Sequence, residues 1–163
     1  MSHLITLDAC CEVTVDVHGV VRCSQPGSTL MWFEDSTLLA TGRDHVHGTP
    51  PAGARVPDPV TLKAGDVIAR VLAHGGARVT LQDGAPVHTN DFYVDCGGHS
   101  VVTCERVAPR RKMDVCTTGQ SEARIRTAPT LLLSAQAHGA SKMFIGVPAG
   151  HKRDAAEAGH AFM

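Results

Sequence analysis

The stretch VTLQDGAPVHTNDFYVDCGGH, residues 79–99, decides how this chain is read. It passes from an apolar-alternating segment through Gly-x-Pro to a His, an Asp and a Gly-His. Residues 143–160, MFIGVPAGHKRDAAEAGH, repeat that order. Asp91 follows Pro86 by five residues, and Asp154 follows Pro148 by six. A His-Gly stands ahead of each copy, in AHGGARV (73–79) and AHGASKM (137–143). A weaker copy, GSTLMWFEDSTLLATGRDHVHG (27–48), keeps the alternating strand, the turn, Asp44 and His47-Gly48 but lacks the Gly-x-Pro. Chance produces such patterns easily in a chain rich in Gly and His. Agreement of two copies at several positions argues against it.

The rest of the chain is punctuated in the same way. Its 163 residues suffice for one domain with a modest core. It is 43% hydrophobic, so it folds, but only 4% aromatic, so Val, Leu, Ile and Ala must build that core. Sixteen Gly and nine Pro impose short elements and many turns. VTVDV (13–17) and VVRC (20–23) form a hairpin across His18-Gly19. STLMWF (28–33) and STLLAT (36–41) flank a tight turn at Glu34-Asp35. Residues 42–59 form a loop, because four Pro and three Gly exclude a helix or a central strand. VTLKAGDVIARVLAHGG (60–76) also fits a helical stripe, but its β-branched residues and bounding glycines favour strand. ARVTLQ (77–82), PVHTNDFYVDC (86–96), SVVTCERV (100–107) and SKMFIGV (141–147) read as strands. TLLLSAQAH (130–138) has a helix-compatible composition, and RDAAEAGHAF (153–162) allows one helical turn.

Charge and composition exclude several classes. A net charge of −1 rules out a polybasic nucleic-acid binder. Arg110, Arg111 and Lys112 beside Pro109 read as a solvated loop. No basic, apolar leader opens the sequence, and no run of about 18 apolar residues could cross a membrane as a helix. Synthesis in the cytoplasm without a signal peptide is expected. The six Cys form no C-x-x-C pair, and buried reduced thiols are the plain reading for several of them. In an oxidising setting, disulfides among Cys10, Cys11 and Cys23, and between Cys104 and Cys116, become plausible.

Three similar hairpins cannot each bury an apolar face alone, but they can around a shared axis. The fold expected is all-β: a small conical or prism-like body of three pseudo-repeated β-hairpins over residues 27–163, with an N-terminal β-hairpin extension over residues 1–26.

The segments DGAPVHTND (83–91) and IGVPAGHKRD (145–154), with HGG at 74–76 and DHVHG at 44–48, resemble the PAAR-repeat family of spike-tip proteins. The resemblance spans residues 27–160 unevenly. The motif tetrapeptide is degenerate here, Pro-Val-His-Thr and Pro-Ala-Gly-His, without its Arg.

That resemblance implies a β cone whose apex is stapled by one structural zinc, in place of a core too small to hold it. By position the ligands would be His47, Cys96, His99 and His160, with His74 and His138 as alternatives. Taken singly, each His reads better as a turn or surface residue, and Cys96 as a buried thiol. The loop residues Pro86, Val87, His88, Pro148, Ala149 and His151 would face a partner. The implied protein is a non-catalytic, membrane-piercing tip. It is monomeric as a chain and caps a homotrimeric β-helical spike of a contractile machine, at a virion tail tip or exported through the apparatus. It meets the bacterial envelope on firing and binds no nucleic acid.

Two rival classes stand beside it: a free-standing zinc-binding β-domain, and a small hydrolase using a Cys/His site. For the hydrolase, Asp91, His88 and Ser100 offer triad chemistry, and Cys104 or Cys116 a thiol nucleophile. The chain has no Gly-x-Ser-x-Gly, no His-Glu-x-x-His and no phosphate loop.

Overall fold

The computed structural model describes residues 2–7, 12–24, 29–42, 58–146 and 161–162. Among them it is all-β, with no helix. Fifteen strands lie in two sheets. Sheet one contains β1 (Ser2–Leu7), β4 (Thr29–Glu34), β5 (Thr37–Gly42), β7 (Arg70–His74), β9 (Asp91–Cys96), β11 (Lys112–Thr117) and β13 (Leu132–Ala137), in that spatial order. Sheet two runs β15 (Ala161–Phe162), β14 (Lys142–Gly146), β12 (Glu122–Thr127), β10 (Val101–Val107), β8 (Arg78–Leu81), β2 (Glu12–Val15), β3 (Val20–Cys23) and β6 (Val60–Thr61).

From β7 onward the chain winds as a two-sheet β-solenoid. Each rung contributes one strand to sheet one, turns a corner, and contributes the next strand to sheet two. A rung takes 23, then 21, then 20 residues, from Arg78 to Val101 to Glu122 to Lys142. All pairings between these rungs are parallel. The early strands close one end with antiparallel pairs: β1 with β4, β4 with β5, β2 with β3, and β3 with β6.

Strand alternation turns every second side chain inward. Parallel register then stacks like on like. In sheet one Leu38, Val71, Val94, Val115 and Ala135 form one column. In sheet two Val15, Leu81, Cys104, Ile125 and Ile145 form another. These positions are buried, with Phe33 and Phe92 the largest fully buried side chains. A core of aliphatic columns has little room for rings, which accounts for the low aromatic content.

The all-β class stands, and so do the hairpins at 13–23 and 28–41. The arrangement of the repeats differs from the expected cone of hairpins. The strands on either side of CGGH, β9 and β10, lie in different sheets and bond to the rungs above and below instead of to each other. Val79 and Met143 occupy one column, joined through Val102 and Ala123. The two matching stretches are therefore the same rung position three turns apart. Segment 130–138 is strand, since its alternating residues continue the sheet-one ladder from β11. Strand β9 begins at Asp91, so residues 86–90 are loop. Of the expected loop at 42–59, Gly42 ends β5 and residues 43–57 lie outside the described residues. Of the segment 153–162 expected to hold a helical turn, residues 153–160 lie outside them and Ala161–Phe162 are strand. The N-terminal hairpin stacks on the solenoid, with β2 parallel to β8.

Candidate functional site

The corner between the sheets repeats most closely. Gly75, Gly98, Gly119 and Gly139 each adopt positive φ, 67°, 66°, 69° and 68°. A side chain at Gly75 would lie 1.7 Å from the Gly42 carbonyl oxygen, so here glycine is needed for space as well as for conformation. Two residues beyond three of these glycines stands a buried serine: Ser100, Ser121 or Ser141. Each hydroxyl lies within hydrogen-bond reach of a carbonyl three residues back and of a carbonyl in the preceding rung. Ser100 Oγ reaches Gly97 at 2.5 Å and Ala73 at 2.9 Å. Ser121 Oγ reaches Thr118 and Cys96, both at 2.7 Å. Ser141 Oγ reaches His138 at 2.7 Å and Thr117 at 3.2 Å. This serine ladder fastens corner to corner. Its signal, Gly-x-Ser at 98–100, 119–121 and 139–141, was present in the sequence but hidden behind the longer Gly-x-Pro match.

The ligand set expected at an apex falls on this corner only in part. His47 and His160 lie outside the described residues. Cys96 is buried, its thiol 3.2 Å from Ser100 Oγ and 3.4 Å from the Glu122 carbonyl. Burial pushes its pKa up, which disfavours the thiolate a metal needs. His99 is exposed on the turn. These two residues do not present a shared coordination site. His74 and His138 occupy the same corner position three rungs apart, roughly 14 Å at one strand spacing per rung, too far to share an ion. Among the described residues no group of three or more His, Cys, Asp or Glu is placed to hold a metal.

Of the loop residues expected to face a partner, Pro148, Ala149 and His151 lie outside the described residues. Pro86 accepts the Ile68 N–H through its carbonyl at 2.6 Å, and Val87 bridges Ile68. His88 Nδ1 accepts the backbone N–H groups of Asn90 and Asp91 at 3.2 and 3.1 Å. The loop is thus tied down from within. Asp91 is gripped by Arg111 through both carboxylate oxygens. That grip holds its carboxyl below the ordinary range, with desolvation opposing.

The triad chemistry does not assemble. Ser100 lies past the far end of β9 from Asp91, with its hydroxyl engaged in the corner. Cys104 lines a 690 Å³ cavity over sheet two, beside Asp83, Glu105, Arg124, Arg126 and Phe144. It is fully buried and its pKa is pushed up to about 12, mainly by burial, so it stays a neutral thiol. The charges of that cavity are partly satisfied: Arg124 pairs with Glu122 at 2.7 Å and lies 4.8 Å from the Phe144 ring centre. Cys104 and Cys116 are both thiols, not a disulfide. One faces the interior from sheet two and the other faces outward from sheet one.

The chain matches no family model, no curated protein and no solved structure.

Proposed function

We propose that this chain is a non-catalytic mechanical element, a stiff β-solenoid body that serves as the membrane-piercing tip of a spike. The observation that carries the reading is the continuous parallel column from Leu38 through Val71, Val94 and Val115 to Ala135. Every rung is bonded along its length to the next and pinned again at the corner by a serine. Deformation of one rung therefore strains its neighbours, which is what a penetrating body requires.

The chemistry of the cavities supports a role without catalysis. The Cys104 thiol is neutral and turned into the core, away from the larger cavity, and the residues of the would-be triad are engaged elsewhere. The resemblance of residues 83–91 and 145–154 to PAAR repeats supports the spike tip as the setting. The two-sheet cross-section has no three equivalent faces, so a trimeric β-helical spike would be capped through one end of the stack. Leu131, just before β13, and Leu132, its first residue, are 82% and 60% exposed and are adjacent large apolar side chains suited to such a contact. A structural zinc in this reading would be bound without Cys96, through histidines such as His47 and His160.

Native mass spectrometry of the full chain mixed with a homotrimeric β-helical spike protein tests the proposal. One chain per trimer is expected, weakened by Leu131→Asp with Leu132→Asp. Free chain and free trimer under all conditions would overturn it. Elemental analysis decides the metal separately: one zinc per chain keeps it in the reading, and none removes it.

A further inference from the structure

From β8 on, the chain crosses from sheet two to sheet one over residues 82–90, then 108–111, then 128–131. The first crossing is the long one, and His88 closes its far end. There an imidazole does what a carboxylate does elsewhere in the chain. His88 Nδ1 accepts the backbone N–H groups of Asn90 and Asp91 at 3.2 and 3.1 Å. Asp16 Oδ1 accepts those of His18 and Val20 in the same manner, at 2.8 and 3.0 Å. Two N–H donors on one ring nitrogen fix the tautomer: Nδ1 offers its lone pair, and the ring proton is on Nε2. Only the neutral ring can hold the turn in this way.

The turn that His88 closes is tied to the rungs on both sides. Toward β7, the Pro86 carbonyl accepts the Ile68 N–H at 2.6 Å, and the His88 N–H donates to the Ile68 carbonyl at 2.9 Å. Toward β11, the Thr89 carbonyl accepts the Arg110 N–H at 2.8 Å. The Asn90 carbonyl accepts those of Arg111 and Lys112 at 2.9 and 3.0 Å. These bonds depend on where residues 86–90 sit, and the His88 ring sets that position against β9.

The charged groups of the neighbouring segments pull both ways. Asp91 follows in the chain and is gripped by Arg111 through both carboxylate oxygens. Arg110, Arg111 and Lys112 come from the approach to β11, with Lys112 paired to Asp114 at 3.2 Å. The approach to β7 carries Asp66, whose carboxylate accepts the Lys63 N–H at 3.1 Å, and Arg70, which lies 5.5 Å from the Tyr93 ring centre. Asp83 stands at the start of the turn, its N–H donated to Glu105 at 3.3 Å. Asp91 attracts a positive charge on His88, and the cations before β11 repel it.

We propose that His88 is an acid-operated latch that holds the 86–90 turn closed in neutral solution and releases it on taking up a proton. Once protonated, Nδ1 is a donor facing two donors, and the Asn90 and Asp91 N–H groups lose their acceptor. The bonds to Ile68 and to residues 110–112 loosen with the turn. The stabilisation is complete in neutral and alkaline solution and is lost as pH falls through the range in which histidines titrate. Asp91, held below 3.8 first by Arg111 and to a smaller extent by His88, keeps its charge through that step. The opposite corner is pinned by serine hydroxyls on carbonyls, bonds that a proton leaves intact, so the opening stays local. This inference goes beyond the mechanical role and does not depend on it.

NMR of the 15N-labelled full chain tests it. At about pH 8, long-range imidazole spectra should show His88 with its proton on Nε2. Between about pH 8 and about pH 5, the solvent-exchange protection of the Asn90 and Asp91 amides should fall about tenfold or more, each rate taken relative to the free-chain rate at the same pH. Protection at Val115 and Ile125 should hold. His88→Asn keeps an acceptor that does not titrate, as Asp16 does in its own turn above the carboxylate range, and should stay closed at both pH values. His88→Ala should be open at both. A proton on Nδ1 at pH 8 would overturn the latch, as would unchanged protection at Asn90 and Asp91 in acid. So would an acid response in His88→Asn equal to that of the unmodified chain, or an equal loss at Val115 and Ile125, which would mean unfolding of the whole body.

Discussion

The hydroxyl of Ser121 lies 2.7 Å from the Cys96 carbonyl of the rung beneath and 2.7 Å from the Thr118 carbonyl of its own turn. One buried atom thus closes its own corner and holds the previous one. Ser100 and Ser141 do the same on either side, so the corner of the solenoid is bonded as continuously as its faces.

Ser121→Ala is expected to destabilise the fold by about 1–3 kcal/mol, because it leaves buried carbonyls short of a donor while creating little cavity. Ser141→Ala removes a corresponding bond, together with the hydroxyl 2.9 Å from Thr117 Oγ1. The two sites act on adjacent rungs through shared backbone, so their effects should couple in a double-mutant cycle. Urea unfolding with an unchanged m-value checks this; a neutral Ser121→Ala would mean that the ladder holds nothing.

Two glycines separate conformation from space. Gly65 has φ +87° with nothing within 4 Å of a would-be Cβ, whereas at Gly75 that atom meets Gly42. Gly65→Ala should therefore cost about 1–2 kcal/mol, the left-handed backbone penalty alone. Gly75→Ala should cost several times more or prevent folding. Thermal unfolding of the pair measures the difference.

Thiol reactivity should follow burial. Cys116 is half-exposed on the outer face of sheet one, while Cys104 is fully buried with its pKa raised to about 12. Iodoacetamide on native protein, followed by peptide mass spectrometry, should label Cys116 well before Cys104. Comparable rates would show that the column around Cys104 opens readily.

Acid should loosen two loops. Asp16 accepts backbone N–H groups from His18 and Val20 at 2.8 and 3.0 Å and pairs with Arg22 at 2.7 Å. These bonds, with Val20 first, hold its carboxyl below the ordinary 3.8, and Arg111 does the same for Asp91. Because the folded values are lowered, the stability these groups contribute is complete above pH 3.8 and is lost as pH falls through the folded values. Asp16→Asn and Asp91→Asn should flatten that acid limb of a melting-temperature profile, and an unaltered profile would exclude both groups as its source.

The sequence by itself determined the all-β class, most strand positions and both early hairpins. Those follow from local alternation and turn residues, which need no knowledge of the partner strand. It also contained a true periodicity, since Val79 and Met143 do share a column. What local pattern could not carry was which strands pair. CGGH between β9 and β10 is short enough for a hairpin, yet the buried Ser100 and the glycine stack turn the chain into the other sheet, where each strand finds partners about twenty residues away. That choice depends on backbone groups of neighbouring rungs, so only the tertiary structure decided it. The same holds for the sites. Cys96 and His99 look like ligands in sequence but part into interior and solvent, while Trp32 and Tyr93, sixty-one residues apart, border one depression because the antiparallel β4–β5 pair and the parallel β5–β7–β9 ladder set their rows side by side.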